Sequence, residues 1–154
     1  MDSSIRDLRA TLAGDMPTFE TRSDFHRFLL RYAILAPSTM NTQPWLFRVD
    51  EEGLEVEPDR SRQLRALDGS GREMIISCGA ALANAEVAAR GLGARMELVW
   101  HGFTPSPGRS LARLRRQSGH TPKDLDLLLF NAIRHRHTVR KPFDKRGIGQ
   151  GLML

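Results

Sequence analysis

The chain has a single cysteine in 154 residues, Cys78, so it holds neither a disulfide framework nor a thiolate cluster for a metal. No run of about 18 apolar residues occurs, which excludes a membrane-spanning helix. The opening MDSSIRDLRATLAGDMPTFE is charged throughout and lacks the apolar core of a signal peptide, so a cytoplasmic protein with no membrane partner is expected. HExxH, GxSxG and Walker A patterns are missing, and Gly91-Leu92-Gly93 is too short for a dinucleotide fingerprint. Aromatics are scarce and do not interleave with the two basic clusters, RSLARLRRQ and RHRHTVRK. Without stacking platforms, the net charge of +5 reads as a solvated basic face or a site for a small phosphorylated ligand. No nucleic-acid partner is expected.

What is present fits one globular unit, with 40% hydrophobic and 27% charged residues. Residues 1–22 read as an N-terminal arm, 23–144 as the domain, and 145–154 as a tail. Ser23 or Asp24 caps a helix in which Phe25, Phe28, Leu29 and Tyr32 recur at helical spacing, and Pro37 stops it near Ala36. WLFRV and LEVEP flank DEEG as a hairpin. REMIISCGAALANAEVAARGLG is a helix apolar on nearly every side, with Gly91 or Gly93 at its C-cap. Its small residues suit a central helix or a subunit interface. Ile75, Ile76 and Leu82 are expected to be buried in a complete assembly, and an isolated chain leaves part of this face exposed. ARMELVW is a strand, SLARLRRQ is either a helix or an edge strand, and TPKDLDLLLFNAIRHRH is a helix capped at Thr121. The fold class is α+β: a small mixed or antiparallel sheet packed with helices around a long central apolar one.

His26, His101 and His120 are isolated and suit packing or surface roles, and Cys78 sits in the most apolar helix as an inert small hydrophobe. Two stretches remain. APSTMNTQPW combines rigid corners, an aromatic and several hydrogen-bonding side chains, and Trp45 is expected in the core beside Tyr32 or Phe28. RHRHTVRKPFD supplies cations and a hydroxyl that can hold a phosphate, or it is simply a solvated helix end. Together they offer the two halves of a site for flavin mononucleotide: donors for its phosphate and a stiff polar loop for its ring.

These stretches carry a resemblance. APSTMNTQPWLF resembles the nitroreductase-family motif that follows the first long helix, and RHRHTVRKPFD resembles the basic motif with which a nitroreductase subunit opens. The region from Asp59 to Trp100 is similar to the Acg-like branch of that superfamily, and the likeness extends over about residues 23–144. It implies a nitroreductase-like fold and FMN as cofactor, with NAD(P)H as the possible electron donor. The expected activity is hydride transfer to nitro compounds or quinones. Arg136, His137, Thr138 and Arg140 are then the binders of phosphate and ribityl. Pro37, Ser38, Thr39 and Asn41 are then the flavin contacts from the other half of a homodimer or of a fused two-half chain. No catalytic side chain and no metal are expected. The Acg-like pattern continues into a full second half where this sequence has GIGQGLML, so the chain reads as truncated, lacking that half or replacing it by pairing. Three readings stand: a flavin oxidoreductase, an FMN-sequestering protein without turnover, or a fragment without activity.

Overall fold

The computed structural model describes residues 17–102 and 108–142. Most of the arm, residues 103–107, and Phe143 onward with the tail lie outside the described residues.

The first helix, α1 (Arg22–Ala33), starts earlier than expected, because Thr21 rather than Ser23 or Asp24 is its cap. The Thr21 hydroxyl accepts the Asp24 N–H at 3.0 Å, and the Asp24 carboxylate accepts the Thr21 N–H at 3.2 Å, a reciprocal capping box. Phe25, Leu29, Tyr32 and Ala33 form one buried face. The helix ends at Ala33, ahead of Ala36, and the chain turns through Ile34 into the loop. Phe19, at the end of the arm, packs edge-on against Phe25 and Phe28 with ring centroids 5.2 and 5.3 Å away.

Strands β1 (Trp45–Val49) and β2 (Gly53–Pro58) form the expected hairpin. Asp50 closes it: its carboxylate accepts the N–H groups of Glu52 and Gly53, both at 2.9 Å. Strands β3 (Ala94–Trp100) and β4 (Ala112–Gly119) complete an antiparallel sheet of order β1-β2-β4-β3. The ambiguous arginine-rich segment is therefore a central strand, neither a helix nor an edge. Period-two alternation explains it: Ala112 and Leu114 point into the core, while Arg113 faces outward to Asp50 and Glu52 at 2.9 Å and Glu55 at 3.0 Å. Three carboxylates around one guanidinium make an arginine tolerable in mid-sheet. On β3, Ala94 and Met96 are buried, but Leu98 and Trp100 are exposed, so its expected apolar side is covered only at one end.

The central helix α2 (Arg72–Gly91) packs against α1, the sheet and the last helix, α3 (Asp124–His135). Met74, Cys78, Ala81, Leu82, Ala85, Ala88 and Ala89 are buried. One stripe is not, since Ile76 is 51% exposed and Gly79 and Ala83 lie beside it, with Ile75 only partly buried. Leu92 is the C-cap and Gly93 follows with φ of 78°. The cap expected at Thr121 falls instead at Lys123, whose N–H donates to the Asp126 carboxylate at 2.9 Å. The same carboxylate lies 2.9 Å from His120 Nε2 and 3.5 Å from Arg90 Nε, tying α3 to the end of α2. Among the described residues no helix is long and apolar enough to cross a membrane, and no group of three or more His, Cys, Asp or Glu side chains could hold a metal.

Candidate functional site

The loop between α1 and β1 is strained. Met40, Asn41 and Gln43 have φ of 52°, 59° and 50°, the left-handed region that costs a residue with a β-carbon about 1–2 kcal/mol, asparagine least. Such geometry persists only where surrounding bonds enforce it. Within the loop, the Ser38 hydroxyl accepts the Gln43 N–H at 2.9 Å, the Thr42 hydroxyl donates to the Thr39 carbonyl at 3.0 Å, and a short 3-10 turn, Thr39–Asn41, closes the bend. From outside, the Thr39 hydroxyl donates to the Glu73 carboxylate at 3.2 Å, and Arg62 Nη1 lies 3.4 Å from the Thr42 and Gln43 carbonyls. The Pro44 carbonyl accepts the Asp59 N–H at 3.0 Å and the Cys78 thiol at 3.2 Å. Trp45 is buried as expected and shares the core with Tyr32, its ring 6.3 Å from that of Phe47. Burial pushes the Cys78 thiol up to about 12, so it is a hydrogen-bonding core group and no nucleophile.

What this rigid loop presents is uneven. Pro37, Met40 and Asn41 are exposed, while Ser38 and Thr39 are half-buried with their hydroxyls already engaged inside the protein. Beneath the loop lies a hollow of about 200 Å³, part of it open to solvent, lined among others by Thr39, Arg62, Gln63, Asp68, Glu73 and Ser77. Its walls are fixed: Gln63 Nε2 donates to the Asp68 carbonyl at 2.7 Å, and the Asp68 carboxylate caps α2 by accepting the Met74 N–H at 2.9 Å. The hollow is shallow and encloses far less space than an ordinary cofactor pocket.

The basic segment is held differently. Arg136, His137, Thr138 and Arg140 are all exposed beyond the end of α3. Arg136 Nη1 donates to the Thr138 hydroxyl at 3.3 Å, and His137 Nδ1 lies 3.3 Å from the His135 carbonyl. Among the described residues no hydrogen bond or ion pair joins this segment to the Pro37–Gln43 loop. Both nevertheless leave from one corner, since Arg134, two residues before Arg136, lies 3.5 Å from the Tyr32 hydroxyl and over its ring at 5.6 Å. Tyr32 precedes Pro37 by five residues, a span of at most about 18 Å.

Sequence reasoning missed Glu73 and Arg62, the outer anchors of the loop. Glu73 reads locally as an acidic residue in a helix's first turn, where it suits the dipole, and nothing in the chain order points to Thr39.

No family model matches the chain. Over 117 residues it is 38% identical to a Mycobacterium tuberculosis protein named as a NAD(P)H nitroreductase, a match covering 76% of this chain and 33% of that one. It is 32% identical over 128 residues to the same organism's Acg, also named as a NAD(P)H nitroreductase, covering 83% of this chain and 38% of Acg. PigM of a Serratia species, named as a NAD(P)H nitroreductase, is 28% identical over 127 residues, 79% of this chain and 35% of PigM. The chain spans about a third of the length of the curated relatives it matches.

Proposed function

This chain belongs to the nitroreductase superfamily, and on that premise we propose that it contributes two walls of an FMN site serving NAD(P)H-dependent reduction of nitro compounds or quinones. The observation that carries the reading is the strained loop: three left-handed residues are held by bonds to α2 and β1 while Pro37 and Asn41 stay free to meet a ligand. A loop that served only to connect two elements would relax. The donor chemistry fits the group. Arg136, Thr138 and Arg140 offer charge-assisted donors for a phosphate, and the Asn41 amide and the Pro37 ring suit the edge and face of a flat heterocycle.

A flavin supplies the hydride-accepting and hydride-donating ring when bound, so the protein itself needs neither nucleophile nor metal. The chain's own part is to bind and orient. Ser38 and Thr39, whose hydroxyls hold the turn, shape the loop, Asn41 presents its amide, and the cations hold the anionic end. The site needs a further wall, because the hollow beneath the loop is too small for a flavin. That wall comes from a second copy of the chain or from a second half such as the longer relatives have room for.

Titrating FMN against the full chain, from nanomolar to tens of micromolar protein, tests this through quenching of flavin fluorescence. Binding should be weaker than about micromolar while the chain is monomeric and tighten as chains pair. A flavin-loaded sample mixed with NADPH should then bleach near 450 nm within seconds. Absence of binding at every concentration refutes the proposal, and binding without bleaching refutes the enzymatic half of it.

A further inference from the structure

We infer that Glu73, through Thr39, is a positioning residue that sets the loop in its ligand-presenting shape. Glu73 sits in the first turn of α2 and is separated from Thr39 by 34 positions, yet the Thr39 hydroxyl donates to its Oε2 at 3.2 Å. Its other oxygen lies 3.6 Å from Arg72 Nη1, so both carboxylate oxygens have a cationic or donor neighbour. Thr39 opens the turn, and the strained pair Met40 and Asn41 follows at once. Among the described residues, the bond to Glu73 is the one side-chain hydrogen bond from α2 to the turn itself, the Cys78 bond falling beyond it at Pro44. Without it the Thr39–Asn41 turn keeps its own short-range bonds, and Arg62 reaches only the Thr42 and Gln43 carbonyls beyond it, so the right-handed alternatives at positions 40 and 41 become accessible. Asn41, exposed and next in line, would then lose its fixed direction.

The geometry stands without any ligand, whereas the consequence for affinity rests on the flavin reading above. The test therefore has two arms on the full chain. The first, without flavin, follows amide hydrogen exchange at Thr42 and Gln43, whose N–H groups bond to the Thr39 carbonyl at 3.1 Å and the Ser38 hydroxyl at 2.9 Å. Glu73→Ala should speed this exchange about tenfold, and Glu73→Gln, whose side-chain oxygen still accepts from Thr39, should leave it near wild type. Thr39→Val should reproduce Glu73→Ala, and combining the two should add nothing further. The second arm titrates FMN: Glu73→Ala should weaken binding about tenfold, with the melting temperature within about 2 °C of wild type and rescue by Glu73→Gln.

If wild type takes up no FMN, the flavin reading falls, and the exchange arm still decides whether Glu73 sets the loop. Unchanged exchange in Glu73→Ala, additive effects with Thr39→Val, or an unchanged flavin affinity in a chain that does bind it would each overturn the inference. A drop in melting temperature with unchanged exchange would mark Glu73 as part of general helix stability and overturn it as well.

Discussion

Two glycines twelve positions apart on one helix should respond to alanine in opposite directions. In a helix interior, Gly→Ala gains about 0.5–1 kcal/mol, because glycine loses more backbone freedom on folding. At Gly79 an added β-carbon meets nothing within 4 Å, so the whole gain should appear. At Gly91 the same carbon would lie 2.6 Å from both Cβ and Cγ of Phe130. Carbon atoms need about 3.5–4.0 Å, so α2 and α3 must part by about 1 Å. Rotating the ring does not help, since Phe130 Cβ is itself in the way. Overpacking of this kind costs about 1–3 kcal/mol, which leaves Gly91→Ala destabilised by up to about 2 kcal/mol and the two variants about 1–3 kcal/mol apart. For a chain of this size each kcal/mol moves the melting temperature by about 2–4 °C. Thermal and urea unfolding of both variants at one protein concentration measures the gap. Because α3 leads directly into Arg136, Gly91→Ala should also weaken FMN binding, which Gly79→Ala in the separate chain should not. A Gly91→Ala protein as stable as Gly79→Ala would refute the reasoning, since it would mean that α3 does not rest on Gly91.

Trp45→Ala should cost about 3–5 kcal/mol in urea unfolding, because it empties a buried aromatic site behind the loop, and a loss below 1 kcal/mol would show the indole is not core. His26 should make the fold acid-sensitive. Its Nδ1 is 2.8 Å from the Asp50 carbonyl, so the proton sits there, while Nε2 is buried without a partner among the described residues, and burial lowers its pKa from 6.5. The unfolded chain takes up that proton first. Stability should be full above about pH 6.5 and fall below it by up to about 1.4 kcal/mol per pH unit until the folded histidine also titrates. His26→Gln should flatten that slope, and an unchanged slope would assign it elsewhere. Cys78, its thiol pushed up to about 12, should resist iodoacetamide at pH 8 until the protein unfolds, and rapid labelling of folded protein would contradict its burial.

Elements with strong local signals were legible from the sequence. α1, the β1–β2 hairpin, α2 and β3 follow from helical spacing, from Asp50 and Gly53 at a tight turn, and from alternation. The misreadings have physical causes. β4 carries three arginines, Arg113, Arg115 and Arg116, and only the three acids gathered around Arg113 from the hairpin reveal why a basic strand sits in mid-sheet. The α3 cap moved because Asp126 serves Lys123 and His120 together, a choice made by tertiary packing and not by the TP dipeptide. At the site, the loop's composition announced rigidity and polarity. Which hydroxyls face inward could not be read, because that depends on Glu73, 34 positions away from Thr39.

The two proposed halves of the site differ in how they are prepared for a ligand, and this difference bears on affinity. The loop has already met its conformational cost, since its left-handed residues are fixed by bonds to α2, β1 and the turn at Arg62. A ligand meeting Pro37 and Asn41 gains contact without ordering them. The segment from Arg136 to Arg140 is exposed along its length and carries two local bonds of 3.3 Å, so most of its ordering would fall at binding. Fixing five residues costs about 1–2 kcal/mol each, against about 1.5–3 kcal/mol for each well-placed hydrogen bond to a charged phosphate. Three such bonds roughly offset that ordering and leave little net affinity. A wall that orders the segment beforehand, as Glu73 and Arg62 order the loop, changes the balance: the same three bonds then count almost in full. Affinity for a phosphate-bearing ligand should accordingly follow whatever orders the basic segment far more steeply than it follows any further tightening of the loop.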